Sequence, residues 1–365
     1  MYFNTRLRLY SKGSFCTVSV HLKISGIFAR GTNMLHTLED FCEYLYHNKD
    51  ERQFYRCYYQ LMRFSREEYR KSCYTLRELP KKSGGTRLIC EPSPPLKRVQ
   101  RGILPLISGG ESQYATAYVV GKSVRDNGQP HLGQPLVVKL DISSFFGSIG
   151  FLQVFRAIDK ALKASPLTGC HYLNADDRAD IKTKNYNNVL SFYFARFCTR
   201  NGVLPQGAPT SPVLSNLVFA PIDEIIGEYC KKRHIAYTRY SDDMTFSGAF
   251  NPLSLIDFVR HILAVNDFKL NDKKTKILGR GCCRVITGAV VNEKLQTTRE
   301  YRREIRQEMY YIQKYGLKDH LRCRKVKTEP EQYRNSLLGR IGFVLQLSPQ
   351  DAEFQQYKKW MLEKA

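Results

Sequence analysis

Apolar residues return every three or four positions between Thr37 and Arg77, at Leu38, Phe41 and Leu45 and again at Phe54, Tyr58, Leu61 and Met62. That spacing predicts helices that each bury one face. Gly84-Gly85 then predicts a hairpin turn between two strands, and Pro95 to Ile107 a helix with Lys97, Arg98 and Arg101 on its polar side. Leu136-Val137-Val138-Lys139-Leu140-Asp141 is a short apolar run ending in an acid, the pattern of a buried strand with one charge at its tip. Val213 to Tyr229 reads as an amphipathic helix, and Ile235 to Phe246 as strand, tight turn and strand. Thr298 to Tyr315 combines Arg299, Arg302, Arg303 and Arg306 with Tyr301, Ile305, Met309, Tyr310 and Ile312, an amphipathic helix with a basic side. Two stretches lack a clear period. Met1 to Asn33 is basic and weakly patterned, either a flexible arm or an accessory strand, with Met34 a candidate start, and a polar insertion without an assigned role lies between Ala164 and Asn188.

Charge narrows the partners. A formal net charge of +23 over 365 residues repels itself unless the surface normally lies against a polyanion, and RNA or DNA leads. Membrane surface competes, but the chain has no apolar stretch of about 18 residues and no signal-peptide core in Met1 to Asn33, so a cytoplasmic protein without a membrane partner is expected. Of the 11 cysteines only Cys282-Cys283 are close and no Cys-x-x-Cys occurs, which favours reduced thiols over a disulfide or zinc framework.

The chemistry lies in three acids. Tyr240-Ser241-Asp242-Asp243 sets two adjacent carboxylates in the turn of the hairpin, flanked by Tyr237, Thr238, Met244, Thr245 and Phe246. Like charges that close call for Mg²⁺ or a shifted pKa, whereas a solvated Ser-Asp-Asp turn is the plain alternative. Asp176-Asp177 illustrates the plain case, since no apolar strand flanks it. If the strand ending at Asp141 lies beside the hairpin, Asp141 and Asp242 converge. Carboxylates so placed suit two Mg²⁺ ions about 3.5–4 Å apart in phosphoryl transfer. Between them lies Leu204-Pro205-Gln206-Gly207-Ala208-Pro209-Thr210-Ser211-Pro212, where Gly207 allows close backbone approach and Gln206 is placed to touch a nucleotide.

These pieces, in this order, resemble three successive palm motifs of reverse transcriptases: Asp141 in Leu-Asp-Ile-Ser-Ser-Phe-Phe, the Leu-Pro-Gln-Gly loop, and Tyr-Ser-Asp-Asp. Pro80 to Ile89 resembles the fingers hairpin of the bacterial enzymes, and Leu270 to Ile277 the segment after the Asp-Asp hairpin. Asn127-Gly128-Gln129-Pro130-His131 resembles the Asn-Ala-x-x-His signature of the retron branch, with Gly128 in place of Ala. Arg284-Val285-Ile286-Thr287-Gly288 resembles its Val-Thr-Gly signature, with Ile286 in place of Val, and Leu338 to Leu345 the end of its thumb.

The resemblance implies an α+β fold of right-hand polymerase architecture, with an antiparallel palm sheet carrying Asp141, Asp242 and Asp243. The division expected is a basic extension over 1–33, fingers with N-terminal helices over 34–135, palm over 136–290 and helical thumb over 291–365. Asp141, Asp242 and Asp243 are the implied catalytic residues and, with the carbonyl of Ile142, the ligands of two Mg²⁺ ions. Arg87 and one of Lys81 or Lys82, preferably Lys82, reach the deoxynucleoside triphosphate, with Gln206 and Gly207 beside it. Phe146, rather than Phe145, is the implied gate against a ribose 2′-hydroxyl, because strand alternation points only one ring at the sugar. Asn127, His131, Thr287, Gly288, Arg299, Arg302, Arg303 and Arg306 are the implied RNA contacts, joined by the basic cluster His320 to Lys327 and by rings such as Tyr315. Retron membership further implies copying of a structured non-coding RNA into branched RNA-linked DNA, starting at an internal guanosine, and phage defence with a separate effector protein. The alternatives are a group II intron or diversity-generating reverse transcriptase, and a non-catalytic RNA-binding scaffold on the same fold.

Overall fold

The computed structural model describes residues 3–11, 14–22, 35, 37–46, 50–80, 85–165, 181–325 and 328–363, with backbone alone for 3–11, 14–22 and 181–188. Strands β1 (Phe3–Ser11) and β2 (Ser14–Leu22) pair antiparallel, so of the two readings of the N-terminal extension the chain takes the strand. Helices α1 (Leu38–Tyr46), α2 (Glu51–Ser65) and α3 (Glu67–Ser72) come next; Leu38, Phe41, Leu45 and Leu61 are buried as the spacing predicts, Phe54, Tyr58 and Met62 are half-buried, and Phe64 is buried beside them. The Asp50 side chain caps α2 by accepting from the Gln53 amide at 2.7 Å. Helix stops earlier than expected: β3 (Tyr74–Pro80) pairs with β4 (Thr86–Pro92) from Tyr74 opposite Pro92 to Pro80 opposite Thr86. The ladder to β4 satisfies the backbone of 74–77, which local periodicity assigns to helix. Helix α4 (Pro94–Ile107) then begins on two prolines, whose missing amides cost nothing in a first turn.

The central sheet draws its strands from segments far apart in the chain. After α5 (Val124–Gly128) come β5 (Leu136–Asp141), α6 (Phe145–Ser148), α7 (Phe151–Ala164), α8 (Ile181–Cys198) and α9 (Ser211–Lys231). Then β6 (Ala236–Tyr240), β7 (Asp243–Gly248), α10 (Pro252–Val265) and β8 (Lys276–Leu278) complete it. Strand order is β6-β7-β5-β8, every pair antiparallel. Alternation along β5 explains its composition. Val138 and Leu140, opposite Phe246 and Met244, face the main core with Leu214, Phe219, Ile222, Val259 and Leu263. Val137 faces the other way, into a smaller core with Ile286, Ala289, Val291, Leu295 and Leu347. Both faces of β5 are covered at its base, so the run reads as almost wholly apolar, and each fully buried side chain of this kind contributes about 1.5–3 kcal/mol. The insertion begins and ends in helix, in α7 and α8, and residues 166–180 lie outside the described residues.

A three-stranded sheet of β9 (Val285–Ile286), β10 (Ala289–Val290) and β11 (Gln296–Thr297) leads to α11 (Arg299–Tyr315), α12 (Leu317–Cys323), α13 (Pro330–Leu347) and α14 (Ala352–Glu363). These last helices have their own core of Ile305, Met309, Ile312, Leu337, Ile341, Val344, Phe354 and Met361. The chain is therefore α+β, with a β-ribbon and helices before an antiparallel sheet and a separate helical unit after it. No described helix is long and apolar enough to cross a membrane, and the described cysteines are free thiols.

Candidate active site

Register places the acids. Asp141, the last residue of β5, lies directly opposite Asp243, the first of β7, so the two side chains share one face of the sheet. Tyr240 pairs with Asp243 across a two-residue turn in which Ser241 has φ +61, the positive angle that a type II′ hairpin requires at its first position. Asp242 completes the turn, and its carbonyl accepts from the Ile142 amide at 3.1 Å. Asp141 is thereby tied to the backbone that carries Asp242 and Asp243, far along the chain.

The surroundings of Asp242 and Asp243 favour the protonated form. Burial raises the pKa of Asp242, with Asp141 adding to the rise and Lys274 and Arg87 opposing it. Burial likewise raises Asp243, reinforced by Asp242, while Lys139 opposes. Asp141 is held differently: Lys274 Nζ donates to its Oδ1 at 2.8 Å and Asn271 Nδ2 to its Oδ2 at 3.0 Å. Among the described residues no group of three or more His, Cys, Asp or Glu side chains is placed to hold a metal ion as it stands, and the Lys274 ammonium pairs with Asp141. The Leu270 to Ile277 segment stands out in the sequence, but nothing local marks Lys274 and Asn271 within it as the partners of Asp141.

A buried network supports the turn from behind. Arg239 and Asp223 are both fully buried, joined by Nε to Oδ1 at 2.9 Å and Nη2 to Oδ2 at 2.6 Å. Arg239 Nη1 donates to Asn216 Oδ1 at 3.0 Å and to the Ser241 carbonyl at 3.1 Å, and Tyr237 donates to Asp223 at 2.7 Å. Sequence reading misses this group because Arg239 and Asp223 sit at ordinary positions of a strand and a helix.

Of the remaining nucleotide candidates, Gln206 and Gly207 lie against β4, the strand that begins beside Arg87. Gln206 offers its carbonyl to the Cys90 amide at 2.6 Å, which fastens the loop to β4. Gly207, at φ +112, lies so close that an added Cβ would stand 2.8 Å from Ile89 Cγ2 and 2.9 Å from the Cys90 carbonyl oxygen. Arg87 is exposed and acts electrostatically on Asp242; Lys81 and Lys82 lie outside the described residues. Phe145 is buried against Phe219 and Phe268, while Phe146 is half-buried. What separates the two rings is the helical turn of α6, entered through Ser144 at φ +49, and not strand alternation.

Two expected RNA contacts are corrected. Asn127 and His131 are buried at 1% and 0% exposure, with their polar atoms spent inside the protein. Asn127 Oδ1 accepts from Thr116 and its Nδ2 donates to Thr287 Oγ1, while the His131 ring nitrogens lie 2.7 Å from Ser247 Oγ and 2.8 Å from Thr238 Oγ1. They lock α5 to the palm-side strands, with Thr287 half-buried at φ +49 and Gly288 exposed beside it. On α11, Arg302 is turned inward onto Asp351 and the Phe354 ring, and Arg306 forks onto Glu353 with both contacts at 2.7 Å. Arg299 and Arg303 are exposed.

Burial pushes His131 down to about 3, so the folded protein keeps the ring neutral where the unfolded chain, titrating near 6.5, takes a proton. Below pH 6.5 the unfolded state therefore binds more protons: the His131 contribution is whole above pH 6.5 and is lost progressively as pH falls toward 3. Unfolding free energies from urea titrations between pH 7 and 5 should fall more steeply for the wild type than for His131→Gln, by up to about 1.4 kcal/mol per pH unit.

Residues 79–306 match the family model described as reverse transcriptase (RNA-dependent DNA polymerase). The chain is 32% identical over 289 residues to the retron Mx65 reverse transcriptase of Myxococcus xanthus, covering 77% of this chain and 62% of that protein's length. It is 29% identical over 290 residues to the retron Ec83 reverse transcriptase of Escherichia coli, covering 76% and 83%. With the retron Ec86 reverse transcriptase of Escherichia coli it shares 31% over 253 residues, covering 67% and 71%.

Proposed function

The chain belongs to the retron-type reverse transcriptases, and on that premise we propose that this RNA-directed DNA polymerase copies part of a structured non-coding RNA into branched, RNA-linked single-stranded DNA (msDNA). We place that product in an anti-phage defence system with a separate effector protein. The observation that carries the polymerase chemistry is the register of Asp141 against Asp243 with Asp242 in the adjoining turn.

The donor set fits a divalent cation: three hard carboxylate oxygen groups, two of them with proton affinity raised by burial and mutual repulsion. Asp141, Asp242 and Asp243, with the Ile142 carbonyl, would hold two Mg²⁺ ions, and Lys274 would yield its oxygen of Asp141. The chemistry that Mg²⁺ would supply there is a lowered pKa for the growing-strand hydroxyl and neutralisation of the leaving pyrophosphate. The chain's own residues do the positioning. Arg87 and Lys82 bind the triphosphate, Gly207 lets the backbone approach the nucleotide beside Gln206, and the Phe146 ring leaves no room for a 2′-hydroxyl. Thr287, Gly288, Arg299 and Arg303 meet RNA phosphates. Arg302 and Arg306 brace α11 through Asp351 and Glu353, so that its outer side, with Tyr310 and Tyr315 at 56% and 54% exposure, stays presented.

Nucleic acid recovered with the full-length chain from cells carrying its native locus tests the reading. The expected product is a short DNA joined to RNA by a 2′–5′ bond, resistant to ribonuclease only in its DNA part. Random cellular RNA with no attached DNA would refute it.

A further inference from the structure

Helix α2 presents an outer face that folding does not need. Its inner side carries Leu61 and Phe64 in the main core, with Phe54 and Tyr58 packed against it. Arg52, Tyr55, Arg56, Tyr59 and Arg63 are all exposed, and at 3.6 residues per turn they fall within an arc of about 100° that runs about 16 Å along the axis. The rings are unusually bare: Tyr55 is 60% exposed and Tyr59 63%. Tyrosine ordinarily buries most of its ring, so two uncovered rings one turn apart are a feature to be accounted for.

Charge on this arc has one sign. Among the described residues no carboxylate forms an ion pair with Arg52, Arg56 or Arg63, and the Arg63 guanidinium lies 3.9 Å above the Tyr69 ring. Glu51 lies about 40° beyond the Tyr55 edge of the arc and, with Asp50, lines the same surface cavity as Arg52 and Arg56, at the N-terminal end of the face. No aliphatic side chain stands in the arc to anchor a protein partner, whereas guanidinium forks and flat rings in alternation suit phosphates and unpaired bases. Helix α2 packs on α1, α3 and α8, none of which carries a catalytic carboxylate.

We propose that the Arg52, Tyr55, Arg56, Tyr59, Arg63 face of α2 is a second RNA-docking surface, which grips an unpaired stretch of the same RNA that supplies the template. The proposal rests on the polymerase reading only for the existence of that RNA. Arginine fixes the strand through its phosphates and tyrosine through base stacking, so this surface tolerates sequence change in the stretch it holds. It adds affinity for the whole RNA without touching the chemistry of nucleotide addition.

The test uses the full-length chain, the RNA encoded beside its gene, and binding measured across a salt series. Arg52→Gln with Arg56→Gln should reduce the slope of log affinity against log salt by about 1.4, the value for two phosphates of a single strand. Tyr55→Ala with Tyr59→Ala should weaken binding by about thirtyfold or more, at about 1–3 kcal/mol per stacked base, while leaving that slope in place. Extension of a DNA primer on an unrelated RNA template should be unchanged in both, which also shows that they fold. Ultraviolet cross-linking should place RNA on the peptide holding Tyr55 and Tyr59. If the wild type binds no RNA, the functional reading itself fails. If it binds and both variants match it in affinity and slope, or if the face captures a protein and no RNA, the docking surface is refuted while the polymerase stands.

Discussion

Asp242→Asn is expected to lower Mg²⁺-dependent deoxynucleotide incorporation by at least about 10²–10³-fold, the scale on which one preorganised electrostatic group contributes to catalysis. The substitution keeps size but replaces one carboxylate oxygen by an NH2 donor and removes one of three acidic groups gathered at the tips of β5 and β7. A second readout does not depend on turnover. A cation that binds only the folded site raises the unfolding temperature by mass action. Mg²⁺ should therefore stabilise the wild type and leave Asp242→Asn nearly unmoved. Because burial and Asp141 raise the Asp242 pKa, its charge is a cost to the metal-free fold above that pKa, relieved as pH falls through it. The Mg²⁺ effect should then be largest near neutral pH and fade on acidification. Full synthesis by Asp242→Asn would remove the metal assignment altogether.

Arg239→Met should cost about 3–5 kcal/mol, because it leaves the Asp223 carboxylate fully buried without its counter-charge. Tyr237 still donates to Asp223, but one hydroxyl does not replace a guanidinium making two forked contacts. The informative comparison is Asp223→Leu with Arg239→Met. Replacing both members by apolar groups of similar volume should restore much of the stability, since the desolvation of two charges disappears with their attraction. Activity should not return with it. Arg239 Nη1 also holds the Ser241 carbonyl, and Ser241 sits at φ +61 immediately before Asp242. A stable double variant with full incorporation would show that the turn keeps its shape unaided.

Asn127 and His131 show where sequence reading stops. Resemblance to the retron signature marks them as RNA contacts, whereas His131 taken by itself reads as a loop histidine satisfied by its neighbours; whether a polar side chain meets solvent or its own protein depends on partners far along the chain. His131 finds Ser247 and Thr238 at separations of 116 and 107 residues, and Asn127 finds Thr287 at 160. The same holds on α11, where one amphipathic pattern contains Arg302 and Arg306, ion-paired with Asp351 and Glu353, beside Arg299 and Arg303, which form no ion pair among the described residues. Lys274 is invisible for the same reason, its partner Asp141 lying 133 residues away.

The elements themselves are legible. Apolar period alone marks α2, α9 and α11, the run ending at Asp141 marks β5, and a Ser-Asp-Asp turn between alternating residues marks the β6–β7 hairpin, because side-chain direction repeats with the local backbone. The ladder that converts Tyr74–Pro80 into β3, the pairing that sets Asp141 opposite Asp243, and the choice of which charges are neutralised were decided only on folding. Backbone hydrogen bonds and ion pairs between distant segments form when the chain collapses, and nothing within a dozen neighbouring residues encodes which distant group will arrive.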